Sequence, residues 1–162
     1  MNVGKSKGNG LTSEVDGDKI VSGARITDPN SDYANEFAKV YYPQIRKRST
    51  DCKKIVQNID VPEADIKAIK NYLFMDNSLY DEDLQMWRQF DADCPISQSW
   101  QRLADDKDIK PHDLTLINHE LYEMEIKRTN LNISHKEAHT LATEKYNYHG
   151  ESEQYYGKLS KH

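Results

Sequence analysis

Apolar side chains recur along this chain at helical spacing in most places where they recur at all. From Tyr33 the pattern runs Tyr33, Phe37, Val40 and Tyr41, one face of a helix. Asp28, Pro29 and Asn30 form a turn before it, and Ser31 or Asp32 supplies the N-cap. Pro43 interrupts the stripe and predicts the start of a second helix at its first turn. Ile45, Cys52, Ile55, Val56 and Ile59 continue it. Asp60 caps a third segment, whose stripe is Ile66, Ile69, Tyr72 and Leu73. Pro95 opens a helix carrying Ile96, Trp100 and Leu103, and residues 105–108 form a solvated connection.

The last two helices have the clearest signals. Pro111 suits a first-turn position, and residues 112–128 place Leu114, Ile117, Leu121 and Met124 on one stripe. A short turn over residues 129–133 leads to the S-x-x-E capping box of Ser134 and Glu137. The helix behind it extends to about Tyr148 and buries Ala138, Leu141, Ala142 and Tyr146.

Elsewhere the pattern fades. Residues 76–93 are acidic and irregular, and read as a loop with one helical turn, anchored by Tyr80, Trp87 and Phe90. Trp87 and Trp100 read as core or interdomain anchors. A short extended segment fits residues 19–26. The fold class is therefore mainly α, a single helical domain of about five or six helices. Its expected organisation is a flexible linker over 1–20, the helical domain over 21–150 and a polar, fraying tail over 151–162.

Composition narrows the function. The chain has 162 residues, enough to bury a core without staples. Its net charge of -5 excludes a surface built wholly for nucleic acid. Arg46, Lys47, Arg48, Lys53 and Lys54 make one basic cluster, read first as a solvated helix face and otherwise as a phosphate contact. Cys52 and Cys94 lack metal-ligand spacing and fit a reduced protein, although spacing does not decide whether they pair. No apolar run approaches the ~20 residues that span a bilayer, so no membrane partner is expected. The segment G-K-S-K-G lacks the P-loop pattern and its strand–helix setting.

The candidate chemistry lies in the C-terminal half. His119 and Glu123 are four residues apart on one predicted helix, and His135 and His139 four apart on the next. Antiparallel neighbours would bring both pairs together as ligands for a divalent metal, zinc or magnesium/manganese. The run His119-Glu120-Leu121-Tyr122-Glu123 resembles the zinc-peptidase motif H-E-x-x-H but has Glu at its last position. A peptidase would need another third ligand, with Glu120 near the metal as base. In a metal-free alternative, His112, Asp113, His119 and Glu120 supply acid and base for phosphodiester cleavage, aided by Lys145 or Arg102. The bland alternative for each histidine is a structural hydrogen bond on an amphipathic helix.

The strings QSWQRL, IKPHDLTLINHELYEMEIK and SHKEAHTLATEKYNY resemble the C-terminal domains of Gram-positive phage minor head proteins and of polymorphic bacterial toxins. The resemblance rests on Trp100, His112, Asp113, His119, Glu120, Glu123, Ala138, His139, Lys145 and Tyr146. It implies an effector tip joined by residues 1–20 to a larger delivery or head protein, acting in a target-cell cytoplasm or on a phage. It also implies a cognate immunity protein and a hydrolytic activity, read first as a nuclease acting on nucleic acid through the His/Glu site of the two C-terminal helices. It favours His119 and His139 over His135 within the site. The alternative function is a non-enzymatic helical phage or protein-interaction module.

Overall fold

The computed structural model describes residues 12–15, 18–21 and 26–160, with side chains from residue 26 onward. Seven α-helices dominate the described residues: α1 (Asp32–Lys47), α2 (Asp51–Asn58), α3 (Glu63–Lys70), α4 (Cys94–Asp105), α5 (Pro111–Thr129), α6 (His135–Lys145) and α7 (Tyr148–Leu159). Two small antiparallel hairpins accompany them, β1 (Thr12–Val15) with β2 (Asp18–Val21) and β3 (Leu79–Asp81) with β4 (Met86–Arg88). The first hairpin falls where the sequence reads as linker and at the start of the expected extended segment. Residues 1–11 and 22–25 lie outside the described residues.

Pro43 does not start a new helix; it sits inside α1. Its ring removes the hydrogen bond to the Lys39 carbonyl, but Lys39 and Pro43 both face solvent, where water replaces that bond. The buried stripe of Phe37, Tyr41 and Ile45 runs uninterrupted on the opposite side. Ser31 caps α1, its Oγ accepting from Ala34 N at 3.1 Å. The expected cap at Asp60 is displaced, since α3 begins after Pro62.

α3 continues into a π-helical turn, Asn71–Met75, closed by Asp76 N donating to the Asn71 carbonyl at 2.7 Å. The wider turn lets Leu73 and Phe74 both enter the core while Tyr72 reaches α5. That core packs Phe37, Tyr41, Ile55, Ile66, Ile69, Phe74, Trp100 and Leu103 around α4 and α5. A buried ion pair stitches it: Lys70 Nζ donates to Asp51 Oδ1 at 2.9 Å, and Trp100 Nε1 to Asp51 Oδ2 at 3.0 Å. Cys52 and Cys94 are buried free thiols.

Four further expectations are corrected. Residues 76–93 hold a hairpin rather than a helical turn, because three-residue strands are too short to show alternation. Trp87 on that hairpin is exposed, whereas Trp100 is fully buried as expected. On α5 and α6, Leu114 and Leu141 are exposed, and Leu116 is buried in the place given to Leu114. Within the expected tail, residues 151–159 belong to a packed helix: α7 buries Ser152 and Tyr156, and Tyr156 OH donates to Gln98 Oε1 on α4. Asn147 caps α7 through Gly150 N at 2.9 Å, so closely that a Cβ at Gly150 would lie 2.5 Å from the Asn147 amide nitrogen.

Candidate metal centre

α5 and α6 pack as neighbours across the turn ended by the Ser134–Glu137 capping box. His119 and Glu123 stand one turn apart on α5, and His139 faces them from α6. Their ligand atoms form a nearly equilateral triangle. His119 Nε2 lies 3.2 Å from Glu123 Oε1 and 3.3 Å from His139 Nδ1, which lies 2.9 Å from the same Glu123 oxygen. Donors bound about 2.0–2.1 Å from a tetrahedral ion lie roughly 3.3 Å from each other. The three residues thus offer ligand atoms at metal-holding spacing.

The protons of the triangle follow from its surroundings. α6 ends at Lys145, and Tyr146 turns extended as its C-cap. That break frees the Tyr146 carbonyl to sit 3.0 Å from His119 Nδ1. A carbonyl only accepts, so His119 carries a proton on Nδ1, and Nε2 is the nitrogen turned toward Glu123 and His139. A ligating histidine is commonly oriented in this way. Glu123 divides its two oxygens similarly: Oε2 accepts from Tyr72 OH, while Oε1 faces the two rings. The triangle therefore brings together a carboxylate oxygen and two ring nitrogens, which need a cation or a proton between them. Burial acts to raise the Glu123 carboxyl, but hydrogen bonds with His119, His139 and Tyr72 outweigh it and hold the group well below its usual range. The Glu123 carboxylate in turn raises His139.

A second layer surrounds these ligands. Lys127 Nζ donates to Tyr72 OH at 2.6 Å and to His135 Nδ1 at 2.8 Å. His135 is thereby kept out of the triangle, 3.8 Å from Glu123 Oε2, and burial pushes its imidazole down to about 4 against the pull of Glu123. Glu120 is buried beside the site, and burial followed by the Glu123 charge raises its carboxyl strongly. Its side of α5 opens on a cleft of about 350 Å³ that His119, Glu120 and His139 line together. His119 and Glu123 are almost inaccessible, whereas the His139 side chain is 51% exposed, so the centre opens on the α6 side.

The other sequence candidates go elsewhere. His112 is about 10 Å along α5 from His119 at 1.5 Å per residue. Its Nε2 accepts from Arg102 Nη2 at 3.2 Å, and Arg102 grips Asp113 through Nε and Nη2, each at 2.8 Å. The metal-free constellation of His112, Asp113, His119 and Glu120 is thus split in two. Lys145 lies over the Tyr122 and Tyr146 rings. In the basic cluster Arg46 Nε bonds the Phe74 carbonyl and Arg48 is buried, while Lys47 and Lys53 are exposed. Tyr72, Lys127 and the Tyr146 carbonyl are the parts that sequence reasoning missed. Tyr72 looked like one more position on an apolar stripe, and nothing local links it to Glu123, 51 residues away.

Among the described residues no helix is long and apolar enough to cross a membrane. No family model matches the chain, and no curated protein or solved structure matches it either.

Proposed function

We propose that the protein is a metal-dependent hydrolase, centred on an ion held by His119, Glu123 and His139. The convergence of three ligand-type atoms at 2.9–3.3 Å, with His119 Nδ1 engaged by the Tyr146 carbonyl, carries this reading. Two imidazoles and one carboxylate suit zinc or a similar transition ion better than magnesium. Three protein ligands leave a coordination position for water, on the side that His139 leaves open. An ion held there would supply an acidified water near neutral pH.

Glu120 serves as the proton carrier. A dication held beside it would favour its carboxylate form against the burial and the Glu123 charge that raise it. Its place beside the ligands suits it to accept a proton from an attacking water and to return one to the leaving group. The arrangement supplies the third ligand that the run from His119 to Glu123 lacks as a linear motif. The implied biological setting is the effector tip of a larger delivered protein, neutralised in its producer by an immunity partner.

Calorimetric titration of the purified protein with zinc tests the centre. One site per chain is expected, weakened about a hundredfold in Glu123→Gln and in His119→Ala. Absence of any saturable zinc, manganese or cobalt binding overturns the hydrolase and leaves a non-enzymatic module.

A further inference from the structure

Six carboxylates and one basic residue lie between Asp76 and Asp93, a net -5 that equals the charge of the whole chain. The rest of the protein is therefore balanced, and its acidity is concentrated on the segment that forms the β3–β4 hairpin. This segment borders the metal centre. Phe90, two residues beyond β4, packs its ring 5.1 Å from that of His135 and 5.3 Å from that of Tyr72. Gln89 fastens the same place by donating to the Met75 carbonyl at 3.0 Å.

From this base the hairpin carries Tyr80, Leu84, Met86 and Trp87 into solvent, each at least 43% exposed. Tyr80 and Trp87 are directly opposed across the strands, their rings edge to face at 5.5 Å. Trp87 is three residues from Phe90, about 10 Å of extended chain. Arg88 is engaged by Asp81 at 2.8 Å and Asp91 at 3.1 Å, so it does not offset the exposed Glu82 and Asp83 at the turn. Each strand has a single neighbour, which leaves one backbone edge of each open.

Resting on the hydrolase reading above, we infer that this hairpin grips the substrate, and that the substrate is an extended, cationic polypeptide segment. An open strand edge adds such a segment by backbone hydrogen bonds. The Tyr80–Trp87 pair and Met86 take its apolar side chains, and Glu82 and Asp83 meet its lysines or arginines. A nucleic acid entering the same way would set its phosphates against the carboxylates that carry the protein's net charge, an arrangement opposite to the basic track such substrates need.

The test uses the full chain loaded with zinc. Three fluorescent probes are compared: an apolar–lysine alternating peptide, its glutamate counterpart and a single-stranded oligonucleotide. Anisotropy reads binding, and quenched versions read hydrolysis. The lysine peptide is expected to bind at least about tenfold more tightly than the others. Tyr80→Ser with Trp87→Ser should remove about tenfold of its binding and of kcat/KM while zinc affinity stays unchanged. Glu82→Lys with Asp83→Lys should reverse the charge preference. These side chains are exposed, and an unchanged thermal unfolding profile checks that the variants fold. Equal or tighter oligonucleotide binding overturns the inference, as does lysine-peptide binding that ignores both pairs of substitutions. Peptide binding is also read without zinc, so failure of the metal centre and failure of the hairpin give different results.

Discussion

α5 carries two histidine–carboxylate groups, and they have opposite characters. At its N-terminus Asp113 receives Ser99 Oγ and Arg102 Nη2 on one oxygen, and Arg102 Nε and Lys110 N on the other. His112 accepts from the same Arg102. Each of these acceptors meets a donor, so the group closes on itself and clamps α4 to α5. Two turns further on, His119, Glu123 and His139 converge two ring nitrogens and a carboxylate oxygen whose contact needs a proton or a cation between them. The residue types are nearly the same. What separates a structural cluster from a candidate centre is whether its hydrogen-bonding roles are complementary within the protein.

The largest effect expected from this contrast is on stability, at the closed group. Asp113→Ala leaves the Arg102 guanidinium, whose side chain is only 14% exposed, without its carboxylate. Breaking a buried pair from one side costs about 3–5 kcal/mol. Urea denaturation should show that loss, while zinc affinity of the folded protein stays near wild type. A parallel fall in zinc affinity would show that the two groups are coupled and that the contrast is mistaken.

Glu123→Gln should behave in reverse. Losing one of three ligands is expected to weaken zinc binding about a hundredfold, on the scale of structural zinc affinities shared among their ligands. Without metal it should unfold closer to wild type than Asp113→Ala does. Zinc at about a hundred times its Kd should add about 2.7 kcal/mol to the wild-type protein and be reversed by a chelator. Differential scanning calorimetry with and without zinc reads both, and an equal zinc-induced shift in the variant sinks the assignment.

The uneven legibility of the molecule follows the range of the interactions involved. The Ser31 cap, the Ser134–Glu137 box and the Trp100–Leu103 stripe of α4 are local, and the sequence shows them within a turn or two. His119, Glu123 and His139 were readable as a set because i,i+4 spacing and a short turn fix their approach. His135 shares that spacing, and only the Lys127 ammonium at its Nδ1 sets it apart. The β3–β4 hairpin was illegible because its stability comes from Asp81 bonding the turn amides of Asp83 and Leu84 and from the Gln89 tether, not from alternation. α7 was hidden by its polar composition; a few contacts such as Tyr148–Ser99 and Tyr156–Gln98 hold it.

Tyr72→Phe is expected to act between the two extremes. Its hydroxyl links Lys127 to the outer oxygen of Glu123. Removing such an outer partner typically costs 10–100-fold in metal affinity or activity. The ring still packs edge-on to Phe90 at 5.3 Å, so unfolding should change little. Wild-type zinc affinity in this variant would show that the ligand triangle needs no support from the π-helical turn.

The smallest effect is one of sign. Burial lowers the His112 imidazole, against the pull of Asp113 and with the help of Arg102. The unfolded chain therefore takes up a proton from about pH 6.5 downward while the folded chain resists it. His112 contributes stability above that pH, lost as pH falls toward its lowered pKa. At His139 the bond with Glu123 raises the imidazole, so its contribution is present below about pH 6.5 and is lost as pH rises through the raised value. Half-exposure of His139 screens that term, which leaves His112 the larger of the two. Tm measured from pH 7.5 to pH 5 in metal-free buffer should fall less steeply in His112→Gln than in wild type. In His139→Gln it should fall slightly more steeply. Identical slopes in all three would mean that neither imidazole exchanges its proton differently on folding, and the opposite environments assigned to the two ends of α5 would then be wrong.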